Sequence, residues 1–387
     1  MSEIGQSVTS FIKWFKEEEE QPQRRLQSSL MHLAENTKLG QNVEISQLLC
    51  RSLNLTSGLD WAASVGQLVN HVKMAKMSYL SPVLTDLITT VYTYDLSVLI
   101  RDERLEPERF RDLLDDLTDL VPRVNNLAKA CIISHDQLAS ICTRAYLASL
   151  EAGTFNAKLT ALHDVVFARS SNSLSDESIT RLLRCCLANP VVTKFILSPS
   201  ETRDKVALTL FTKTPPAVFN RLFGSLLHCI NFNVTRLSVR HIANDHYAYA
   251  LGCLAAAAPG RHLPGLIQYW IVSAQVPVAQ RQKLQICRII AHAARALDKG
   301  TTVTDDDELI VQLNQAVQSN LNQVDLELRE WSLLAYSELI AKVKCDLTPP
   351  DFDICAKHRN ELDVDLSDET VEAFFAVNAA VAPIEQE

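Results

Sequence analysis

Residues 324–343, VDLELREWSLLAYSELIAKV, carry the pattern that decides the fold. Apolar side chains recur there every three or four positions, and most of the charged side chains fall elsewhere on a helical wheel. The recurring positions are Val324, Leu328, Trp331, Ala335, Leu339 and Val343. A period of 3.6 residues places such positions on one face of an α-helix. The stretch therefore predicts an amphipathic helix whose apolar face is packed against other helices.

Helix-start signals recur along the whole chain. Ser134-His-Asp-Gln137 fits a capping box, and hydroxyl side chains precede acidic residues at Ser175 and Ser367, a pattern typical of helix N-termini. The chain has 10 glycines in 387 residues, under half of a usual share of about 7%, and glycine serves the turns and bulges of sheets. The chain is therefore predicted to be all-α. The predicted helices begin near residues 59, 81, 106, 134, 154, 175, 200, 215, 234, 262, 277, 305 and 324.

The spacing of these helices indicates a repeat architecture. Two successive helices occupy about 40 residues, which is the period of HEAT and armadillo arrays. The pair Leu328-Arg329, followed by the small residue Ser332 and later by Leu339, resembles the second helix of a HEAT unit. Val239-Arg240 begins a poorer copy that Asn244-Asp245 interrupts. The resemblance implies an α-solenoid of stacked antiparallel helix pairs, and solenoids mostly bind other macromolecules.

Three parts of the chain are predicted. Residues 1–22 form a short amphipathic helix and an acidic joint, and residues 23–345 form the helical-repeat array. The array is either one domain or two domains hinged at Asn189-Pro190 or at Pro199. Residues 346–387, the acidic segment, end in a helix that either docks on the array or waits for a partner.

Cysteine usage and hydropathy indicate an intracellular protein. The ten cysteines are dispersed, most of them within stretches of apolar residues, and no obvious signal sequence opens the chain. We therefore expect reduced, buried thiols rather than a disulfide framework, and a location in the cytoplasm or the nucleus or both. The most apolar window, residues 247–258, is shorter than the about 20 residues that span a bilayer, so no membrane association is predicted.

Charge is strongly segregated. Residues 201–300, the basic block, hold 12 Lys/Arg and 4 Asp/Glu, whereas residues 301–387 hold 5 and 19. Equivalent positions of a solenoid line up along one face, so a basic stripe would attract an acidic protein partner or a phosphate backbone. The alternative is that these cations are scattered and solvated, and partly neutralised by the acidic segment. The candidate partner- or nucleic-acid-binding residues are Arg221, Arg236, Arg240, Arg261, Arg281, Lys283, Arg288 and Arg295.

Aromatic residues are interspersed with these cations. They could stack on nucleic-acid bases, but core packing is the stronger expectation for most of them. The residues concerned are Tyr247, Tyr249, Tyr269 and Trp270.

Metal-capable side chains cluster loosely at His241 and His246, with Cys229 before them and Cys253 after them. Structural zinc sites usually combine two close ligand pairs, and only the histidines are close here. No metal or cofactor is therefore expected. The chain also lacks a Gly-x-Ser-x-Gly elbow, a Walker loop and a dinucleotide-binding glycine fingerprint.

Other reactive groups have simple structural interpretations. Cys185-Cys186 would be redox-active if exposed beside arginines, but burial on a helix is favoured. The adjacent pairs His135-Asp136 and His163-Asp164 lack the third group that a nucleophilic triad needs. No catalytic residue is assigned.

The function predicted from these features is that of a non-catalytic adaptor or scaffold subunit of an intracellular protein complex. Its partner would bind an extended helical-repeat surface that includes the basic block. One alternative is a nucleic-acid-associated subunit in chromosome or RNA metabolism, and another is an enzyme of unrecognised Cys/His type. The salt dependence of binding distinguishes the adaptor from the nucleic-acid-associated subunit, because affinity for phosphates falls steeply as the salt concentration rises.

Overall fold

The structure, a computed structural model, is all-helical over the residues it describes. No strand occurs among them, which confirms the all-α prediction. The chain forms two compact units, Met1–Leu174 and Ser175–Glu387. Pro199 lies outside the described residues. The described residues are 3–17, 22–35, 39–74, 80–170, 174–197, 203–224, 227, 241–300, 307–342, 358–359, 362 and 367–379.

In the first unit, alternate helices pack against each other. Helix α2 packs on α4, α4 on α7 and α7 on α9, while α3 packs on α5 and α6 on α8. The helices are α1 (Glu3–Glu17), α2 (Pro22–Glu35), α3 (Val43–Leu55), α4 (Gly58–Met74), α5 (Pro82–Val91), α6 (Ser97–Arg101), α7 (Pro107–Ala128), α8 (His135–Glu151) and α9 (Ala157–Ser170), with a 3₁₀ turn at Leu39–Gln41.

The same alternation occurs in the second unit. Helix α12 packs on α14, α14 on α16 and α16 on α18, while α15 packs on α17. The helices are α10 (Asp176–Ala188), α11 (Pro190–Ile196), α12 (Arg203–Lys213), α13 (Pro216–Phe223), α14 (Asp245–Ala257), α15 (Pro259–Gln275), α16 (Gln280–Arg295), α17 (Asp307–Leu321), α18 (Leu326–Lys342) and α19 (Asp368–Ala379).

Side-chain caps set many of the helix starts. At Ser134 both bonds of the capping box are present, and the hydroxyl of Ser175 accepts a hydrogen bond from the backbone N–H of Ser178. Each cap satisfies a backbone donor that the first helical turn leaves without an intrahelical partner. The predicted starts near 134 and 175 are therefore confirmed. The predicted start near 234 lies outside the described residues.

The helix predicted from residues 324–343 is α18, and its small residue has a specific role. Ser332 is fully buried, and its hydroxyl lies 3.4 Å from Cys287 Sγ and accepts a hydrogen bond from Asn320 Nδ2 at 3.0 Å. An alanine at this position could make neither contact. Ser332 thus links α18 to both α16 and α17.

The start of α4 depends on a glycine and a carboxylate. Gly58 has φ +58°, and a Cβ there would lie 1.9 Å from Asp102 Oδ2. That oxygen accepts a hydrogen bond from Leu59 N at 2.8 Å and another from Arg104 Nη2 at 2.9 Å. The Arg104 side chain and the backbone N–H of Leu59 together hold the pKa of Asp102 well below its usual range.

Replacing Asp102 by asparagine should lower the free energy of unfolding at pH 7 by about 2 kcal/mol, because bonds to a charged acceptor are lost. A carboxylate with a depressed folded-state pKa stabilises the fold above its unfolded pKa of about 4 and loses that effect as the pH falls. Urea unfolding at pH 3 and pH 7 checks this. The difference between wild type and variant should shrink at pH 3, and an equal difference at both pH values would contradict the assignment.

Most of the described cysteines are buried, and none of those described forms a disulfide. Cys142, Cys185, Cys186, Cys253 and Cys287 are buried, whereas Cys131 is exposed. Within the described part of the chain, no helix combines the length and the apolarity needed to cross a bilayer.

Candidate functional site

The second unit contains an open groove where α14, α16 and α18 lie side by side. We call this the central groove; its cavity has a volume of about 220 Å³. Its walls include Tyr249 from α14, Arg288 and His292 from α16, and Trp331 from α18. Because the three helices pack in succession, side chains one helical layer apart converge on one opening. Leu362 of the acidic segment also lines it.

Arg288 on α16 contacts residues of both neighbouring helices of the groove. Its guanidinium carbon lies 4.9 Å from the centroid of the Trp331 ring, which is within the range of a cation–π interaction. Its Nη2 lies 2.8 Å from Glu327 Oε1, and its Nη1 lies 3.9 Å from Asp245 Oδ1. Trp331 is only 1% exposed, so the arginine stacks on a ring that belongs to the core. Arg288 thus links a buried aromatic residue to charges of the opposite sign on two neighbouring helices.

The rim of the groove is balanced in charge. Asp245 accepts a hydrogen bond from Gln285 and lies 3.4 Å from Arg281 Nη2. With Glu327 near Arg288, two arginines face two carboxylates. A balanced rim favours mixed polar contacts over the binding of a polyanion, which needs uncompensated cations.

A buried cysteine contacts His292, which lines the groove. Cys253 Sγ lies 3.5 Å from His292 Nε2, and the His292 ring packs against Tyr249 with centroids 5.1 Å apart. Burial raises the pKa of the Cys253 thiol to about 11 and lowers the pKa of His292. A nucleophilic cysteine needs the thiolate, usually with a depressed pKa. The local electrostatics therefore work against thiolate chemistry at this pair.

Gly252 permits the close approach of α14 to α16 beside that pair. A Cβ on Gly252 would lie 2.9 Å from His292 Cδ2 and 3.2 Å from His292 Cβ. A larger residue would push His292 away from its present position. The glycine therefore allows His292 its present position in the wall of the groove.

The structure brings together some of the cations predicted from sequence. Arg281 and Arg288 share Asp245, whereas Arg261 is exposed at the start of α15 and Lys283 is largely buried on α16. The basic block therefore does not present these four side chains in one environment.

The remaining candidate cations lie elsewhere. On α13, Arg221 Nη1 lies 3.5 Å from Asp368 Oδ1, and on α16 Arg295 Nη1 donates to the Arg359 carbonyl at 3.1 Å. Both of these partners belong to the acidic segment. Arg236 and Arg240 lie outside the described residues.

The acidic segment also reaches the wall of the central groove. The His358 ring lies 5.0 Å from the Trp331 ring, and His358 Nε2 lies 2.5 Å from Glu330 Oε2. Arg359 Nε donates to Glu338 Oε1 at 2.7 Å. Residues 358–359 of this segment are therefore held on α18 as well as on α16.

Two other groups that the sequence analysis considered reactive, His163 and Cys186, are buried in the helical core. His163 is buried with its Nδ1 2.8 Å from the Tyr146 hydroxyl, and burial lowers its pKa to about 4. Cys186 is buried, and its pKa is raised to about 12 by desolvation. Among the described residues no group of three or more His, Cys, Asp and Glu side chains could hold a metal ion. Cys229 lies outside the described residues.

Sequence reasoning did not identify the aromatic wall of the groove. Of the four aromatic residues that lie among the cations, Tyr247 and Trp270 are fully buried, and Tyr249 lines the groove. Trp331 was assigned to the apolar face of its helix, where its ring does lie. No local signal linked Trp331 to Arg288, which lie on the packed but non-consecutive helices α18 and α16.

No protein-family profile, curated protein or solved structure matches this chain. The functional argument therefore depends on the residues of the chain alone.

Proposed function

We propose that the protein is a non-catalytic adaptor subunit of an intracellular complex, in the cytoplasm or the nucleus, and that it binds a protein partner through the central groove. The alternate-helix packing of α12 to α18 supports a HEAT-like helical array as the scaffold. The observation that carries the proposal is Arg288, stacked on the buried Trp331 and paired with carboxylates of two helices. Arginine and tryptophan together are typical of binding hot spots.

The size of the groove supports a side-chain anchor rather than a substrate site. Its cavity of about 220 Å³ is smaller than the roughly 300–1,000 Å³ of pockets that enclose drug-sized ligands. The raised pKa of the Cys253 thiol likewise argues for a binding role rather than thiol catalysis. One or two apolar partner side chains would fit against Tyr249, with polar neighbours at Asp245 and at Arg288, which Trp331 holds in place from beneath.

Replacing Arg288 by methionine should reduce partner retention by about 10-fold or more, because the apolar stem remains but the stacked charge is lost. The measurement is quantitative mass spectrometry of proteins co-purified with the tagged full chain from its own cells, with and without nuclease. Arg261→Met is the matched control, because Arg261 is exposed on α15 and does not line the central groove.

The outcomes separate the candidate functions. A stoichiometric set of proteins that survives nuclease and is lost only in Arg288→Met supports the adaptor proposal. Recovery that vanishes with nuclease would replace it with the nucleic-acid-associated function. Equal retention by Arg288→Met and Arg261→Met would show that the central groove is not the binding site.

A further inference from the structure

The last described helix, α19, lies in a second groove, which is formed by α10 and α13. Val371 and Phe375 are buried there, one helical turn apart. The acidic side chains of Glu369 and Glu372 are exposed. The helix therefore presents one apolar face to the groove and an acidic face to solvent.

Two arginines mark the ends of this groove. Arg184 Nη2 donates to the Phe375 carbonyl at 2.7 Å, and its guanidinium carbon lies 5.6 Å from the centroid of the Phe375 ring. At the other end, Arg221 lies 3.5 Å from Asp368, which is in the first turn of α19. The groove thus recognises an acidic residue, an apolar residue three positions later and an aromatic residue seven positions later.

The fit of α19 is incomplete. A cavity of about 440 Å³ remains beside the helix, and its walls include Leu187, Thr193, Leu222 and Val371. Valine is too short to fill this space. The ion pair at the N-terminal end is weak, because its side chains are 60% and 75% exposed. Val371, Phe375 and Arg184 provide the buried contacts described above, and the unfilled cavity beside them leaves room for a helix that fits the groove better.

We propose that the groove between α10 and α13 is a binding site for an amphipathic helix of a partner protein, and that α19 occupies it in the absence of that partner. The partner helix carries a carboxylate in its first turn to meet Arg221. It places a larger aliphatic residue at the position of Val371, which extends into the cavity, and an aromatic residue beside Arg184. Recognition follows the helix-in-groove mode, with anchors three and seven positions after the acid. The site is separate from the central groove, so it holds whether or not that groove binds a partner.

The test uses a fluorescent peptide of residues 367–379 and fluorescence anisotropy with the full-length protein. A tethered helix competes at an effective concentration in the millimolar range. The peptide should therefore bind the full-length double variant Val371→Asp, Phe375→Asp at least about 10-fold more tightly than wild type. A peptide with Val371→Leu should bind more tightly still.

The arginine provides the matched comparison. In the double variant, adding Arg184→Met should weaken peptide binding by about 10-fold, because a charge-assisted hydrogen bond and a cation–π contact are lost. Adding Arg261→Met should leave it unchanged. Equal affinity of the peptide for wild type and for the double variant would overturn the proposal.

Two further measurements cover the remaining outcomes. If the double variant does not fold, as judged by circular dichroism, hydrogen exchange of wild type with excess peptide replaces it. Hydrogen exchange should then rise in α19 while α10 stays protected, and no change in α19 would overturn the proposal.

Light scattering tests whether α19 of one copy occupies the groove of a second copy. A wild-type dimer that the double variant abolishes would assign the groove to a second copy and overturn the partner assignment.

Discussion

Replacing Lys158 by methionine is expected to lower the free energy of unfolding of the first unit by about 2–5 kcal/mol. Lys158 is 5% exposed, and its Nζ donates to the carbonyl oxygens of Leu99, at 2.9 Å, and Asp102, at 2.5 Å. Asn156 Nδ2 donates to the intervening Ile100 carbonyl. Leu99 and Ile100 lie in the five-residue helix α6, which is too short to satisfy its last carbonyls internally, and Asp102 follows that helix. Methionine keeps the aliphatic stem but removes the charged donor from both carbonyls, and only that of Asp102 retains a second donor, the backbone N–H of Leu105 at 3.2 Å.

Urea unfolding of the full chain, followed by hydrogen exchange of peptides from residues 97–101, measures this effect. Lys13→Met is the control, because Lys13 is 73% exposed and its Nζ lies 3.9 Å from Glu17 Oε1 in an exposed ion pair. The control should change stability by less than about 0.5 kcal/mol, as is usual for surface substitutions. A loss below that value for Lys158→Met would contradict the capping role.

Local signals predicted the helices well where capping chemistry decides them. The capping box at Ser134 and the proline after Ser81 mark helix starts that the structure reproduces within one residue. Asn189-Pro190 was considered as a hinge. In the structure it joins two helices, since the Asn189 N–H donates to the Cys185 carbonyl of α10 and its side chain accepts from Val191 N of α11, and the hinge stays a prediction. One residue closes one helix and opens the next, so a pattern of turn residues is ambiguous there.

Long-range contacts escaped prediction for a physical reason. Nothing in the sequence around Lys158 shows that its ammonium is buried against carbonyls at and just after α6, more than 50 residues earlier. Periodicity reports which face of a helix is apolar but not which helix covers it. Arg288 was recognised as a cation of the basic block, but its position over Trp331 depends on the packing of α16 on α18. The candidate site is therefore a product of helix stacking rather than of any local motif.

Replacing Trp331 by alanine should lower the free energy of unfolding of the second unit by about 3–5 kcal/mol, the cost of deleting a large aromatic side chain from a core. The ring contacts Arg288 on one side and lies 5.0 Å from His358 of the acidic segment. The deletion should thus also loosen that segment. Urea unfolding measures the first effect, and hydrogen exchange of peptides that contain His358 and Arg359 measures the second.

Trp331→Phe is the matched variant, and it separates packing from hydrogen bonding. Trp331 Nε1 is buried and has no hydrogen-bond partner among the described residues. Removing that donor relieves an unsatisfied group, whereas a bonded indole would lose a bond. The phenylalanine variant should therefore lose clearly less stability than the alanine variant. Phenylalanine is a weaker cation–π partner than tryptophan. Trp331→Phe should therefore reduce partner retention even though it changes the free energy of unfolding less than Trp331→Ala does. An equal loss of unfolding free energy in the two variants would contradict this expectation. It would indicate that the indole Nε1 makes a hydrogen bond that both variants remove.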